Sequence, residues 1–174
     1  MRSSSASSAV ASSYAEVFFW FAGLAFVLVW AIFTDTAIDY RLVMMGAVLA
    51  DLVDGAAGGP RLLHTLLFSV VLLLTVMLGT RGRRRLRRRL LALPIGTFCH
   101  LLLDATWTRT ALFWWPAFGT TFPGGGLPSL QRPWPLVAVQ ELAGVAALAW
   151  CWYRFNLAEP ERRRQFIRTG RIGG

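Results

Sequence analysis

Leu62-Leu63-His64-Thr65-Leu66-Leu67-Phe68-Ser69-Val70-Val71-Leu72-Leu73-Leu74-Thr75-Val76-Met77-Leu78, followed almost at once by Arg81-Gly82-Arg83-Arg84-Arg85-Leu86-Arg87-Arg88-Arg89, decides the fold class of this chain. At ~1.5 Å per residue a helix over Leu62 to Leu78 reaches most of the way across a ~30 Å hydrocarbon layer. An arginine block at the end of such a run reads as the cytoplasmic anchor of a membrane span. The pattern repeats outward from there. Leu90 to about Asp104 is a second apolar segment, with Pro94 in its first turns and His100 and Asp104 near its far end. Leu136 to Phe155 is a third, and Val17 to Phe33 is an uncharged run rich in Phe and Trp. Arg41 to Asp54 is shorter, ends in Asp51 and Asp54, and is broken by Gly55-Ala56-Ala57-Gly58-Gly59-Pro60.

The composition agrees. The 174 residues are 55% hydrophobic and include eight Trp and twelve Phe, and the mean hydropathy is +0.50. These values suit a small polytopic membrane protein better than a water-soluble domain. All 18 basic residues are Arg, and the formal charge is +9. Most of that charge flanks apolar runs, where Arg sets topology and contacts anionic lipid headgroups, so no nucleic-acid partner is expected. Cys99 and Cys151 lie inside apolar stretches and read as small buried hydrophobes.

The expected fold is therefore all-α, a polytopic transmembrane bundle of four or five spans. Residues 1–15 read as a Ser/Ala-rich disordered tail, 16–156 as a single transmembrane domain and 157–174 as a basic cytoplasmic tail. A signal peptide competes for Val17 to Phe33. The run is long for one, and Thr34-Asp35-Thr36-Ala37 is a poor cleavage site, which favours a retained helix. Thr106 to Pro135, with Phe113-Trp114-Trp115-Pro116, suits the headgroup layer.

Charge then fixes part of the topology. With the Arg81–Arg89 loop and the tail after Arg154 held in the cytoplasm, the run 62–78 passes inward, 90–104 outward and 136–155 inward. His64, His100 and Asp104 fall on one outer level. The loop from Asp54 to His64 is too short to cross a bilayer, so Asp51 and Asp54 join them. Glu141 lies at a similar depth.

Charged groups in a bilayer are costly, and they are rare unless paired or functional. Both histidines of the chain stand at one level beside three acids. His100 and Asp104, four apart, share a helix face, as do Asp51 and Asp54, three apart. Imidazole and carboxylate ligands together suit zinc, manganese or iron, and a metal-held water attacking a phosphoryl or acyl centre is the simplest chemistry. Plainer readings stand beside this one. Asp104 is also placed to cap a short helix from Ala105 or to pair with Arg109, and Asp51 to pair with Arg61. Asp54 also suits a helix end in water, and Glu141 a pairing with Arg132. Either histidine also suits a packing role with backbone partners. Gly124-Gly125-Gly126 lacks the Lys-Ser/Thr of a phosphate loop, and no Gly-x-Ser-x-Gly elbow occurs. Asp35 and Asp39 read as solvated loop acids, and either also suits a position facing a polar cavity.

The pieces Ala50-Asp51-Leu52-Val53-Asp54, His64-Thr65-Leu66-Leu67-Phe68 and Gly96-Thr97-Phe98-Cys99-His100-Leu101-Leu102-Leu103-Asp104 resemble the YdjM-type family of inner-membrane metal-dependent hydrolases. Phe113-Trp114-Trp115-Pro116 is similar to that family's aromatic-Pro element. The resemblance covers about residues 41–120. It implies a helical membrane protein with a metal centre, and Asp51, Asp54, His64, His100 and Asp104 as ligands or catalytic groups. The chain departs from the family around His64, where Pro60-Arg61-Leu62-Leu63 replaces the usual Arg-Gly-x-Thr, and it lacks a further histidine near its start.

The expectation is thus a multi-pass inner-membrane, metal-dependent hydrolase with its site at the outer face, acting on a lipid-linked phosphate or ester. His64, His100, Asp104 and Asp51 are the expected ligands of zinc or manganese, Asp54 the general base, and Arg61 and Arg109 the anchors of a substrate anion. The alternative is a non-enzymatic scaffold or transporter-like protein whose intramembrane acids form structural ion pairs.

Overall fold

A computed structural model describes residues 18–57, 62–122 and 132–173. The described residues are helical, without a strand. Helix α1 is Phe18–Phe33, α2 Tyr40–Ala56, α3 Leu66–Gly79, α4 Arg84–Leu90, α5 Ala92–Leu103, α6 Thr110–Phe113, α7 Trp134–Arg154 and α8 Pro160–Thr169, with single 3-10 turns at Leu62–His64 and Thr106–Thr108.

Local chemistry sets these boundaries. The Thr65 hydroxyl accepts from the Phe68 N–H at 3.1 Å and so caps α3. His64 consequently sits in the turn before α3 and not within a helix running from Leu62. Pro94 falls in the first turn of α5 and Pro160 opens α8, positions where the missing N–H costs nothing. The arginine block, expected as a loop, forms α4, and α5 follows it after one residue.

Helix α2 packs most extensively on α5, and α1 on α7; α1 also lies against α2 and α5, and α3 against α5. The α2–α5 contact is made at Gly46 and Gly96. A Cβ on either would run into the backbone of the other helix, Leu93 and Thr97 for Gly46, Val43 and Ala47 for Gly96. Small residues let the two backbones touch. Phe21, Ala25, Phe26 and Val29 of α1 fill the core with Tyr40 and Val43 of α2, and Phe26 stacks on Tyr40 with ring centroids 4.4 Å apart.

Helices α3 and α7 leave most of their apolar side chains at the surface. The buried residues of α3 are Ser69 and Val76, whereas Leu74 and Leu78 are more than half exposed. In α7 they are Gly144 and Cys151, and Val139 and Leu142 point outward. One helix among the described residues, Trp134–Arg154, is long and apolar enough to cross a membrane; Phe18–Phe33 and Leu66–Gly79 are apolar but shorter.

The segment after α7 is docked on the bundle. Tyr40 donates its N–H to the Gly170 carbonyl at 2.9 Å, Ile172 donates to the Thr36 carbonyl at 3.2 Å, and Ile172 is buried. The expected tail at residues 1–15 lies outside the described residues.

Candidate metal centre

Helix α2 presents three groups on one face of its last turns: the Ala47 carbonyl, Asp51 and Asp54. The Gly46–Gly96 contact brings α5 alongside, and His100, one turn beyond Gly96, donates from Nδ1 to the Ala47 carbonyl at 2.7 Å. A carbonyl oxygen only accepts, so this bond places the ring proton on Nδ1 and leaves Nε2 as a lone pair. The turn Leu62–His64 folds back over the end of α2. There His64 Nδ1 meets Asp54 Oδ2 at 2.8 Å. The same logic puts a proton on His64 Nδ1, and Nε2 turns inward toward Asp51.

The two inward nitrogens stand 3.3 Å apart, and Asp51 Oδ1 lies 3.1 Å from His64 Nε2 and 3.5 Å from His100 Nε2. Three polar atoms thus converge in a triangle. Its mutual repulsion is relieved either by a cation held between them or by a proton on His64 Nε2 shared with Asp51. Two ligand bonds of ~2.05 Å at the tetrahedral angle place their donor atoms about 3.3 Å apart, so the edges match one face of a tetrahedral site. Asp51, His64 and His100 form a buried group that can hold a metal ion. Both histidines are completely buried, and the Phe21 ring packs on His100 at 4.3 Å.

The other expected site residues take different places. Asp54, expected nearer the water as a base, is 2% exposed and faces the outer nitrogen of His64, a position that orients the ring. Asp104 is also buried, but its carboxylate is held by Arg132, with Nη2 to Oδ1 at 2.9 Å, and by the Thr106 hydroxyl at 3.1 Å. Arg132 further donates to the Asp104 carbonyl and to Gln140 Oε1, which ties the start of α7 to the end of α5. Asp104 therefore stands beside the triangle and not in it. Arg109 has an exposed side chain, and its main-chain carbonyl accepts from Leu112 and Phe113 at the start of α6. Arg61 lies outside the described residues.

Glu141 does not pair with Arg132. Its two oxygens accept the N–H groups of Phe19 and Trp20 at 3.1 Å each, capping α1 from α7. The Ala47 carbonyl and Arg132 are the site residues that the sequence reading did not find. The first is main chain and has no side-chain signature; the second lies far along the chain from its acid.

At the opposite end of the bundle Asp35 and Asp39 are not simply solvated. Asp39 is 2% exposed and accepts from Arg41 Nη2 at 2.9 Å and Arg89 Nε at 3.0 Å. Burial pushes its carboxyl up, and Arg41 and Arg89 more than offset that, so it lies below its ordinary value. A hydrogen bond from Arg88 at 2.7 Å, joined by the Ala37 N–H, likewise holds Asp35 below the usual carboxylate range.

Comparison of the chain with family models, with curated proteins and with solved structures returned no match.

Proposed function

We propose that this chain is a multi-pass inner-membrane protein whose Asp51–His64–His100 group binds a divalent metal, zinc or manganese, and that it hydrolyses a lipid-linked phosphate or ester. The observation that carries this is the lone-pair triangle with edges of 3.1, 3.3 and 3.5 Å, its two imidazoles held in the metal-binding tautomer by Asp54 and by the Ala47 carbonyl. The hydrolase assignment and the kinship with the YdjM-type family rest on the sequence pieces around Asp51, His64 and His100.

The outward apolar faces of α3 and α7, with small or polar residues turned inward, support a bundle of four or five spans. In that arrangement α4 and α8 lie on the cytoplasmic side and the His/Asp group at the outer face. A divalent metal held there would polarise a phosphoryl or acyl oxygen and lower the pKa of a water. The chain's own groups do the rest. Asp54 keeps His64 in one tautomer, and the Gly46–Gly96 contact fixes His100 against Asp51. Arg132 neutralises Asp104 beside the site, so that a substrate anion meets little repulsion. Arg109, exposed at the same end, and Arg61 are the groups proposed to hold that anion.

A second reading has its own observation. His64 faces a carboxylate from each nitrogen, Asp54 at 2.8 Å and Asp51 at 3.1 Å, which an imidazolium satisfies as well as a metal ligand does. The protein would then be a non-enzymatic scaffold or transporter-like subunit with a structural ion-pair cluster. Elemental analysis separates the two. Full-length protein purified in detergent without chelator should carry a stoichiometric transition metal that His100→Ala loses. Metal-free wild type would leave the scaffold reading. A metal-loaded protein that turns over none of a panel of lipid phosphates and esters would remove the hydrolase assignment and leave metal binding.

A further inference from the structure

A pocket of about 210 Å³ opens at the end of the bundle opposite the His/Asp group, between the α1–α2 linker, α4 and the C-terminal segment. Four arginines line it, Arg88, Arg89, Arg168 and Arg171, against a single acid, Asp39. That acid is already bonded: Arg41 Nε reaches its Oδ1, and Arg41 Nη2 and Arg89 Nε both reach its Oδ2. Arg88 is bonded to Asp35. Arg171 donates its main-chain N–H to the Thr169 hydroxyl, but the guanidinium groups of Arg168 and Arg171 have no hydrogen-bond or ion-pair partner among the described residues. Two guanidinium groups are thus left facing a cleft whose internal carboxylates are satisfied.

The pocket is built by the fold and does not arise from a loose basic tail. The Gly170 carbonyl pairs with the Tyr40 N–H, Arg41 bonds the Ile167 carbonyl, and Ile172 is buried beyond it. Gly170 itself has φ +72°, and a Cβ there would collide with the Asp39 carboxylate. Only glycine lets the chain turn this closely over Asp39 and so deliver Arg168 and Arg171 to one rim. At ~30 Å³ per water-sized group, the volume suits a small tetrahedral anion with its near neighbours. Arginine forks match phosphate oxygens in geometry and charge.

We infer that this pocket is a phosphate-binding site, independent of the metal centre. Its ligand is a phosphate monoanion or dianion, either the headgroup phosphate of an anionic lipid or free inorganic phosphate. The test is native mass spectrometry of the full chain in detergent with phosphatidylglycerol or phosphatidylcholine, alongside titration with inorganic phosphate. Wild type should retain phosphatidylglycerol preferentially. The double substitution Arg168→Gln/Arg171→Gln, whose guanidinium groups have no internal hydrogen bond or ion pair to lose, should weaken retention about thirty-fold, at roughly fivefold per arginine near a membrane surface. Gly170→Ala should weaken it with no change of charge. Arg84→Gln/Arg163→Gln, equal in charge and outside the pocket, should leave it nearly unchanged. Displacement of the lipid by millimolar inorganic phosphate, with the same order of variants, would assign the site to free phosphate. Equal loss in the Arg84/Arg163 control would mean diffuse attraction and overturn the pocket. So would equal retention in all variants, or no preference for phosphatidylglycerol together with no response to phosphate.

Discussion

Asp54→Asn and Asp54→Ala together probe how the His64 ring is held. The Asp54–His64 bond is 2.8 Å long, between a carboxylate 2% exposed and a fully buried imidazole. Asparagine keeps an acceptor oxygen in place, so Nδ1 stays protonated and Nε2 stays turned inward; only the negative charge is lost. Alanine removes the acceptor as well, leaving a buried N–H unbonded at about 1–3 kcal/mol. Loss of a group that orients a ligating histidine weakens metal binding by about 10- to 100-fold. That range is roughly 1.4 to 2.8 kcal/mol. Asp54→Asn should fall near its lower end and Asp54→Ala near or beyond its upper end, whereas His64→Ala and Asp51→Ala should abolish stoichiometric binding. Competition against chromophoric chelators of graded affinity, with elemental analysis of the same samples, measures the order. Equal affinity in wild type, Asp54→Asn and Asp54→Ala would show that His64 is not a ligand oriented through Nδ1.

Acid should release the opposite end of the bundle. Asp35 and Asp39 have folded-state values below the ordinary one, so their stabilisation is complete above the unfolded value of about 3.9 and is lost as pH falls through the folded values. Melting in detergent between pH 6 and pH 2 should fall steeply below pH 4 in wild type, and less steeply in Asp39→Asn. Gly96→Ala should force α5 off α2, cost at least 1–3 kcal/mol and lower metal content together with melting temperature; an unchanged melt would mean that the helices part without cost. Glu141→Gln should lose about 0.3–1 kcal/mol of melting stability through its weaker cap on α1, with metal content unchanged. With Cys99 and Cys151 buried, a cysteine at exposed Thr120 should react with an impermeant thiol reagent in intact cells and one at Arg85 should not; the reverse pattern would invert the orientation.

Much of the site could be read before the fold, because short loops and arginine placement are local signals. Asp51, Asp54 and His64 are close in sequence across a helix break, and the arginine block put His100 on their level. Helix α2, read as Arg41 to Asp54, runs Tyr40–Ala56. What escaped depends on pairings across the chain. Nothing near Asp104 announces Arg132, and the two meet because α7 starts beside the end of α5. Glu141, read as a partner for Arg132, accepts instead from the N–H groups at the start of α1, a need visible only once α1 and α7 are adjacent. The burial of Asp39 likewise depends on the docking of Gly170 over it, a pairing across the chain that no local signal announces.

The contact of Gly46 with Gly96 also bears on which ion the triangle would accept. Asp51 rides on α2, and His100 is tied to that helix through the Ala47 carbonyl, so one edge of the triangle is as stiff as the helix pair itself. Calcium takes six to eight oxygen ligands at about 2.3–2.6 Å, whereas two of the three atoms offered here are imidazole nitrogens. Moving that edge means separating two backbones already in contact and breaking the His100 hydrogen bond. The frame therefore acts as a jig: the helix crossing sets the spacing of the donor atoms, and their chemistry favours zinc or manganese over calcium.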